Sequence, residues 1–383
     1  MFEAHAALIQ HGSKYAGSLI RRGLESVEPD KEVNINIDIP GWGAGLIVST
    51  ILIAALVLAS VRYTLHGVVA TLAIVTAGSE PVVPAAERPL SEKDEKDEAN
   101  APLLPSDLEA TAVAPERITS KIRTTVRHIT KVGGWRARWR GLTYYIMQAV
   151  ASGVTRKGLL IMLSGGAHPS VSVGFFAAHF FSAVVAAVVT AKLHMLWCHS
   201  VLTVPGTQGL SSVATFDQAA KKLAPALAIN TVATELMIGG PFLAVHAYNV
   251  HDKPMEASSA CMVLFYFLVV AVGLWFPSYV ALIRVEASML PENVETMVPF
   301  DRTFGGKVVA DAEGRPGHLT VTGAWQSVST IGKRLRLLGM FAKIGMVEVV
   351  LNIFFGCLII AQVLLFVSPK DLEKIGQMMQ RAQ

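Results

Sequence analysis

Charged and amide side chains inside long apolar runs are the residues of this sequence best placed to bind a solute. Each charge near the centre of a bilayer costs about 2.5–3.5 kcal/mol on insertion scales, so such side chains usually face an internal cavity or a partner. Four residues of this kind stand within apolar runs: Arg156, Glu235, Glu348 and Asn352. We therefore predict a substrate-binding site formed by these four side chains.

Each of these residues also has an alternative interpretation. Glu235 either contacts a cationic or polar solute in a cavity, or pairs with Lys192 or Arg156 and fixes helix packing. Arg156 either faces a cavity as a solute-binding cation or marks the end of its span. Glu348 and Asn352 are four residues apart and share one helical face, which suits a polar patch on a cavity wall.

The apolar runs that carry these residues are long enough to cross a membrane. The chain has 383 residues, of which 52% are hydrophobic and 16% charged, whereas soluble domains have about 25% charged residues. Six runs approach or exceed the roughly 20 residues that span a bilayer as a helix: 43–61, 141–167, 171–191, 226–250, 257–283 and 344–367. Their continuous apolar character excludes barrel strands, which alternate. We predict an all-α membrane protein with six transmembrane helices.

The lengths of the connections group the six spans into three helix–loop–helix pairs. Long segments, 79–140, 192–225 and 284–335, alternate with short ones, 168–170 and 251–256. Internal repeats of this kind are common in transporters. The predicted organisation is an amphipathic surface segment, 1–40; a first repeat, 41–167, with a disordered acidic insertion, 80–116; a second repeat, 168–250; a third repeat, 251–367; and a C-terminal tail, 368–383.

Charge and motif content narrow the function class. Residues 117–140 hold eight Lys and Arg and no acid, so the positive-inside bias places the long loops on one side and both termini on the other. These loops could recruit a protein partner or anionic lipid. The net charge of +4 is too small to indicate nucleic acid. We expect no metal site, no cofactor and no enzyme, because paired catalytic carboxylates, histidine boxes and a nucleophile elbow are missing from the sequence.

Two stretches resemble the mitochondrial carrier family, whose odd-numbered helices end in Pro-x-Asp/Glu-x-x-Lys/Arg-x-Arg. The stretch Pro277–Arg284 keeps the proline and the final arginine, with Tyr279 in place of the acid and Leu282 in place of the base. The segment Thr190–Trp197 keeps none of the family residue types. GGWRARWRGLTYY, at 133–145, is similar to the carriers' loop helix and the start of their even-numbered helices. The carrier-motif residues are thus Pro277, Arg284, Trp139, Arg140 and Gly141.

The resemblance implies a carrier-like bundle that transports a small, anionic solute across a mitochondrial membrane, the inner rather than the outer. Carriers bind anionic solutes through basic residues on even-numbered helices, which points to Arg156. The missing motif charges remove salt bridges that close the cavity in that family. The alternative is therefore a non-transporting membrane adaptor or scaffold with a carrier fold, in a mitochondrial or another organelle membrane.

Overall fold

The fold is all-α over the residues that the structure describes. A computed structural model describes residues 41–78, 119, 121–163, 173–207, 214–247, 257–291, 294–308 and 317–366. The predicted surface segment 1–40, the insertion 80–116 and the tail 368–383 lie outside the described residues. The prediction of an all-helical membrane protein is confirmed, and the predicted threefold repeat remains a prediction.

Eleven α-helices, two π-helical stretches and one 3₁₀ helix carry the described part of the chain. They are α1, Gly41–Arg62, continued by a π-helical stretch, Tyr63–Ala70, and by α2, Thr71–Thr76; α3, Ile122–Gly133; a 3₁₀ helix, Trp135–Trp139; α4, Leu142–Leu163; α5, Val173–Val189; α6, Ala191–Leu202; α7, Phe216–Ala247; α8, Ala257–Val270, continued by a π-helical stretch, Ala271–Trp275, and by α9, Phe276–Ser288; α10, Val321–Gln326; and α11, Ile331–Phe366.

Five of these helical stretches are long and apolar enough to cross a membrane: Trp42–Thr76, Trp135–Leu163, Phe216–Pro241, Ser258–Ser288 and Ile331–Phe366. A sixth is broken into Gly174–Val189 and Ala191–Leu202, which meet at an angle of 58°. The hydroxyl of Thr190, at the break, donates a hydrogen bond to the carbonyl of Ala186 at 2.8 Å. Such back-bonding by threonine bends helices. The protein is therefore a multi-pass membrane protein with five or six spans.

Every span except the second divides into an exposed apolar half and a buried half; α4, in the second span, is exposed or half-buried along almost its whole length. In the first span, Leu56 is 71% exposed whereas Val69 is fully buried. We call the exposed parts the membrane half: residues 42–62, 142–163, 174–189, 228–241, 258–275 and 345–366. The 22 residues of α1 extend about 33 Å, close to the ~30 Å thickness of the hydrocarbon core. This half therefore suits lipid.

The buried parts pack together into what we call the junction core: the buried residues within 63–77, 191–203, 219–227, 276–290 and 319–344. Here α2, α6 and α9, which continue the odd-numbered spans, all contact one another. In the membrane half, α1 packs against α11, and α4, α5, α7 and α8 pack in chain order. The odd-numbered spans thus converge at the end that carries the long loops.

All three odd-numbered spans depart from α-helical geometry where the membrane half meets the junction core. The first and fifth spans contain the π-helical stretches Tyr63–Ala70 and Ala271–Trp275, and the third bends at Thr190. Pro277 is the second residue of α9. The predicted fifth span, 257–283, continues past this proline, and the helix extends to Ser288 within the junction core.

Candidate functional site: an intramembrane Arg–Glu–His cluster

Two of the four predicted substrate-binding residues meet in the membrane half. Nη1 of Arg156 lies 2.9 Å from Oε1 of Glu235, and Nη2 donates a hydrogen bond to Oε2 at 3.0 Å. This two-pronged geometry is the strongest ion pairing available to these side chains. The side chains are 26% and 12% exposed, so the pair is shielded but not sealed.

The third member of the cluster, His179, was not among the predicted site residues. Its Nε2 lies 3.3 Å from Oε2 of Glu235 and is also hydrogen-bonded to Nη2 of Arg156. A neutral imidazole nitrogen accepts from the guanidinium, whereas a protonated one donates to the carboxylate. His179 is the one titratable residue in the apolar run 171–191, which is the signal that could have identified it.

Three packed helices bring this cluster together. Arg156 lies on α4, His179 on α5 and Glu235 on α7, and α5 contacts both neighbours. Arg156 lies 14 residues beyond Leu142, which places it about 21 Å along the helix axis. The cluster therefore lies well inside the apolar half of the molecule, where ionisable residues mark solute or ion pathways by default.

The other two predicted residues belong to a separate cluster. Oε1 of Glu348 lies 3.2 Å from Nε2 of His66, which is in the π-helical stretch of the first span. Asn352 donates a hydrogen bond from its side chain to the carbonyl of Glu348 at 2.7 Å. The partners of Glu348 and Asn352 are thus on α11 and the first span, not on the helices that hold Arg156 and Glu235.

The motif arginine has a structural environment. Arg284 is 1% exposed. Its Nε donates to the Ser327 hydroxyl at 2.8 Å, its Nη1 donates to the Ile74 carbonyl at 2.7 Å, and the guanidinium lies 4.6 Å from the centre of the Phe304 ring. Arg284 therefore links the fifth span to the first, rather than facing a solute.

A second buried ionisable residue, Glu286, was not among the predicted site residues. Its Oε1 lies 2.5 Å from Nδ1 of His194, and its backbone carbonyl is 2.8 Å from Nε2 of His199. These contacts link the fifth span to the third. The Trp197 indole donates to the Tyr63 hydroxyl at 3.3 Å, which links the third span to the first. Polar contacts thus connect all three odd-numbered spans to one another.

Four aromatic rings pack together where the fifth and sixth spans meet. Phe341 packs edge-on against Trp275, Phe276 and Tyr279, with ring centroids 5.5–6.0 Å apart. The rings of Trp275 and Tyr279 stack at 5.3 Å. Packed aromatic rings therefore join the fifth and sixth spans where the membrane half meets the junction core.

The segment GGWRARWRGLTYY forms a helix–turn–helix connection held by specific contacts. The Trp139 indole donates to the Ser60 hydroxyl at 3.1 Å, and Nη2 of Arg140 donates to the Thr203 hydroxyl at 3.0 Å. Gly141 has a φ of +77°, and a Cβ there would lie 3.2 Å from the Trp197 carbonyl oxygen. Glycine is therefore required at this turn into α4.

Metal and thiol chemistry find no support in the described part of the chain. No group of three His, Cys, Asp or Glu side chains there could hold a metal ion. Cys198 is a buried free thiol, and Cys261 and Cys357 are exposed free thiols in the membrane half.

No protein-family model matches the chain, and no curated protein matches it. The fold and the cluster define a multi-pass α-helical membrane protein with a charged, histidine-containing site inside its apolar half.

Proposed function

We propose that this protein is a transmembrane transporter of a small, anionic solute. The observation that carries the proposal is the cluster of Arg156, Glu235 and His179 within the membrane half. Each of these ionisable groups is costly to insert into a membrane, and such residues often mark solute or ion pathways. A polar solute that crosses the bilayer needs such groups to replace its water.

The shape of the bundle supports this proposal. The odd-numbered spans contact one another in the junction core and carry their helical irregularities at its boundary. A bundle that is packed closed at one end, and whose helices are irregular where the membrane half meets the junction core, is suited to open alternately to the two sides of the membrane. We propose that the bundle is carrier-like in this respect, with Arg284, Glu286 and His194 taking the place of the motif charges. The resemblance to carriers is also the ground for proposing a mitochondrial membrane.

The chemistry of the cluster specifies how an anion would bind. Arg156 is already paired with Glu235, so an anionic solute must take the guanidinium from that carboxylate. His179 is in position to receive the released carboxylate once it is protonated, because its Nε2 already faces Oε2 of Glu235. Exchange of partners among three side chains would thus expose a cation without leaving a bare buried carboxylate.

A second candidate function is a non-transporting membrane adaptor. The aromatic packing of Phe341 against Trp275, Phe276 and Tyr279 favours it, because these rings fill the space between the fifth and sixth spans where a cavity would need to be open. An adaptor would use the membrane half as an anchor and the long basic loops to recruit partners.

A thermal-shift screen separates the two functions. Purified protein is heated with nucleotides, di- and tricarboxylates, amino acids or coenzymes, and a solute at 100 times its Kd stabilises the folded state by about 2.7 kcal/mol. We expect one solute class to raise the melting temperature. The shift should be lost in Arg156→Gln/Glu235→Gln, a pair of near-isosteric changes that removes both charges together.

Lys157→Gln is the matched control, because Lys157 follows Arg156 on α4 but is exposed and lies outside the cluster. A well-folded protein that no solute class stabilises would contradict the transporter and favour the adaptor.

A further inference from the structure

A basic groove lies on α3, outside the intramembrane cluster. The cavity has a volume of about 600 Å³ and is lined by Arg123, Val126, Arg127, Thr130, Lys131 and Arg138. The opposite face of α3 is held in place, because Thr125 and Ile129 are fully buried and His128 hydrogen-bonds to the Met297 carbonyl at 3.0 Å. The groove is thus the outward face of a helix fixed to the junction core.

The groove has the charge of an anion site. Four of its six lining residues are cationic, and none of these four forms a salt bridge with a carboxylate in the part of the chain that the structure describes. Nε of Arg138, in the 3₁₀ helix, donates a hydrogen bond to the Thr130 hydroxyl of α3 at 3.4 Å. This bond keeps the Arg138 side chain beside α3. The planar guanidinium group of an arginine side chain binds phosphate oxygens through paired hydrogen bonds.

The position of the groove relative to the ends of the first two spans indicates which kind of anion it binds. The neighbouring 3₁₀ helix is tied by Trp139 to Ser60, near the end of α1, and the apolar helix α4 begins three residues after Trp139. Two spans therefore leave the membrane half beside this helix. Trp135, 61% exposed, stands there as an aromatic residue typical of the membrane–water interface. The groove therefore lies beside the ends of two apolar spans, which is where headgroups lie around a membrane protein.

We propose that the groove of α3 binds the phosphate group of an anionic phospholipid, with Arg127 and Lys131 as its central ligands. Trp135 would sit among the headgroups and keep the groove at their depth. This site is independent of the transport proposal, since none of its residues belongs to the intramembrane cluster. It would tie the long loop between the first two spans to the membrane surface.

The test uses full-length protein in neutral detergent, titrated with short-chain phosphatidylglycerol, short-chain phosphatidylcholine or inorganic phosphate, with melting temperature as the readout. Each basic side chain near an anionic surface contributes about 1 kcal/mol, or about fivefold in affinity. We expect phosphatidylglycerol to stabilise the protein and the double variant R127Q/K131Q to bind it at least about tenfold more weakly. K307Q, at an exposed lysine of the loop 294–308, is the matched control and should bind normally.

Three outcomes would overturn the proposal. Equal phosphatidylglycerol binding by R127Q/K131Q and the native protein would show that the lipid binds elsewhere. Equal stabilisation by phosphatidylcholine would show that the acyl chains, not the anionic headgroup, are recognised. If inorganic phosphate stabilised the protein and phosphatidylglycerol then added no further stabilisation, the groove would be assigned to a free phosphate compound. Arg127 and Lys131 are both exposed on α3, so the double variant should fold.

Discussion

The membrane half and the junction core each contain an arginine and a glutamate, but they use them differently. In the membrane half, Arg156 and Glu235 pair directly and His179 touches both. In the junction core, Arg284 is bound by a carbonyl and a hydroxyl, and Glu286 faces histidines. Arg284 is 1% exposed, whereas the Arg156 side chain is 26% exposed. Sealed side chains bonded to groups of other spans act as cross-links, while partly open charges bonded to each other can exchange partners.

The largest effect should come from removing the sealed arginine. Arg284→Ala deletes two short hydrogen bonds that the charged guanidinium donates and leaves a cavity, so we expect the free energy of unfolding to fall by about 3–5 kcal/mol. Arg336→Ala, at an exposed arginine of α11, should change it by no more than about 0.5 kcal/mol. Denaturant unfolding in detergent measures both. If the two variants lowered the free energy of unfolding by similar amounts, Arg284 would not act as a cross-link between spans.

Breaking the open pair should cost less. Glu235→Gln leaves the Arg156 guanidinium without its counter-ion, and we expect a loss of about 2 kcal/mol, below the figure for a sealed pair because the arginine is partly exposed. The double variant Arg156→Gln/Glu235→Gln should recover part of this loss. A double-mutant cycle reports the coupling, for which we expect about 1–2 kcal/mol. Strict additivity would mean that the two side chains do not interact.

A backbone change tests the turn that joins the two regions. Gly141→Ala forces a left-handed φ on a residue with a Cβ and brings that Cβ close to Trp197 and Ser200, so we expect a loss of about 1–2 kcal/mol. Gly158→Ala is the control, since nothing lies within 4 Å of a Cβ there and the site is helical. The control should be neutral or slightly stabilising. Unfolding curves of the two variants that coincide would refute this account of the turn.

The smallest effect concerns pH. Burial alone would raise the pKa of Asp301, but hydrogen bonds from the Thr303 hydroxyl and from the backbone of Gly305 and Thr303, with the Arg284 charge, lower it below its ordinary value. A depressed carboxyl pKa stabilises the folded state above the unfolded pKa, and this contribution is lost as pH falls through the folded value. We expect the melting temperature to fall in this acid range, and to fall less in Asp301→Asn. An identical pH profile for the variant would exclude Asp301 as the cause.

The sequence predicts the helices better than the contacts between them. Hydropathy identifies each apolar run but does not distinguish side chains that face lipid, such as Leu56, from side chains packed in a core, such as Val69. The existence of the junction core is therefore not predictable from apolar runs. The carbonyl that binds Arg284 comes from Ile74, 210 residues away in the chain, and no local pattern points to it.

The candidate site was partly predictable for the same reason. Cost of burial singles out Arg156 and Glu235 because no neighbour in sequence compensates them, and pairing with Arg156 was one of the two interpretations of Glu235. His179 and His66 were not assigned as partners, since a histidine in an apolar run carries no charge penalty when neutral. Glu348 and Asn352 share a helix face as predicted, but α11 packs against the first span and so separates them from Arg156.

The most direct test of the proposed transport site is its access to water. His179→Cys, in a background with serine at Cys198, Cys261 and Cys357, is reconstituted into vesicles and treated from each side with a membrane-impermeant thiol reagent. We expect modification from one side, slowed by the solute that stabilises the protein, and no modification of a cysteine placed at Leu56, an exposed residue of the membrane half. A cysteine at 179 that stays unmodified from both sides in folded protein would contradict this expectation, and would leave the Arg156–Glu235 pair as a packing device.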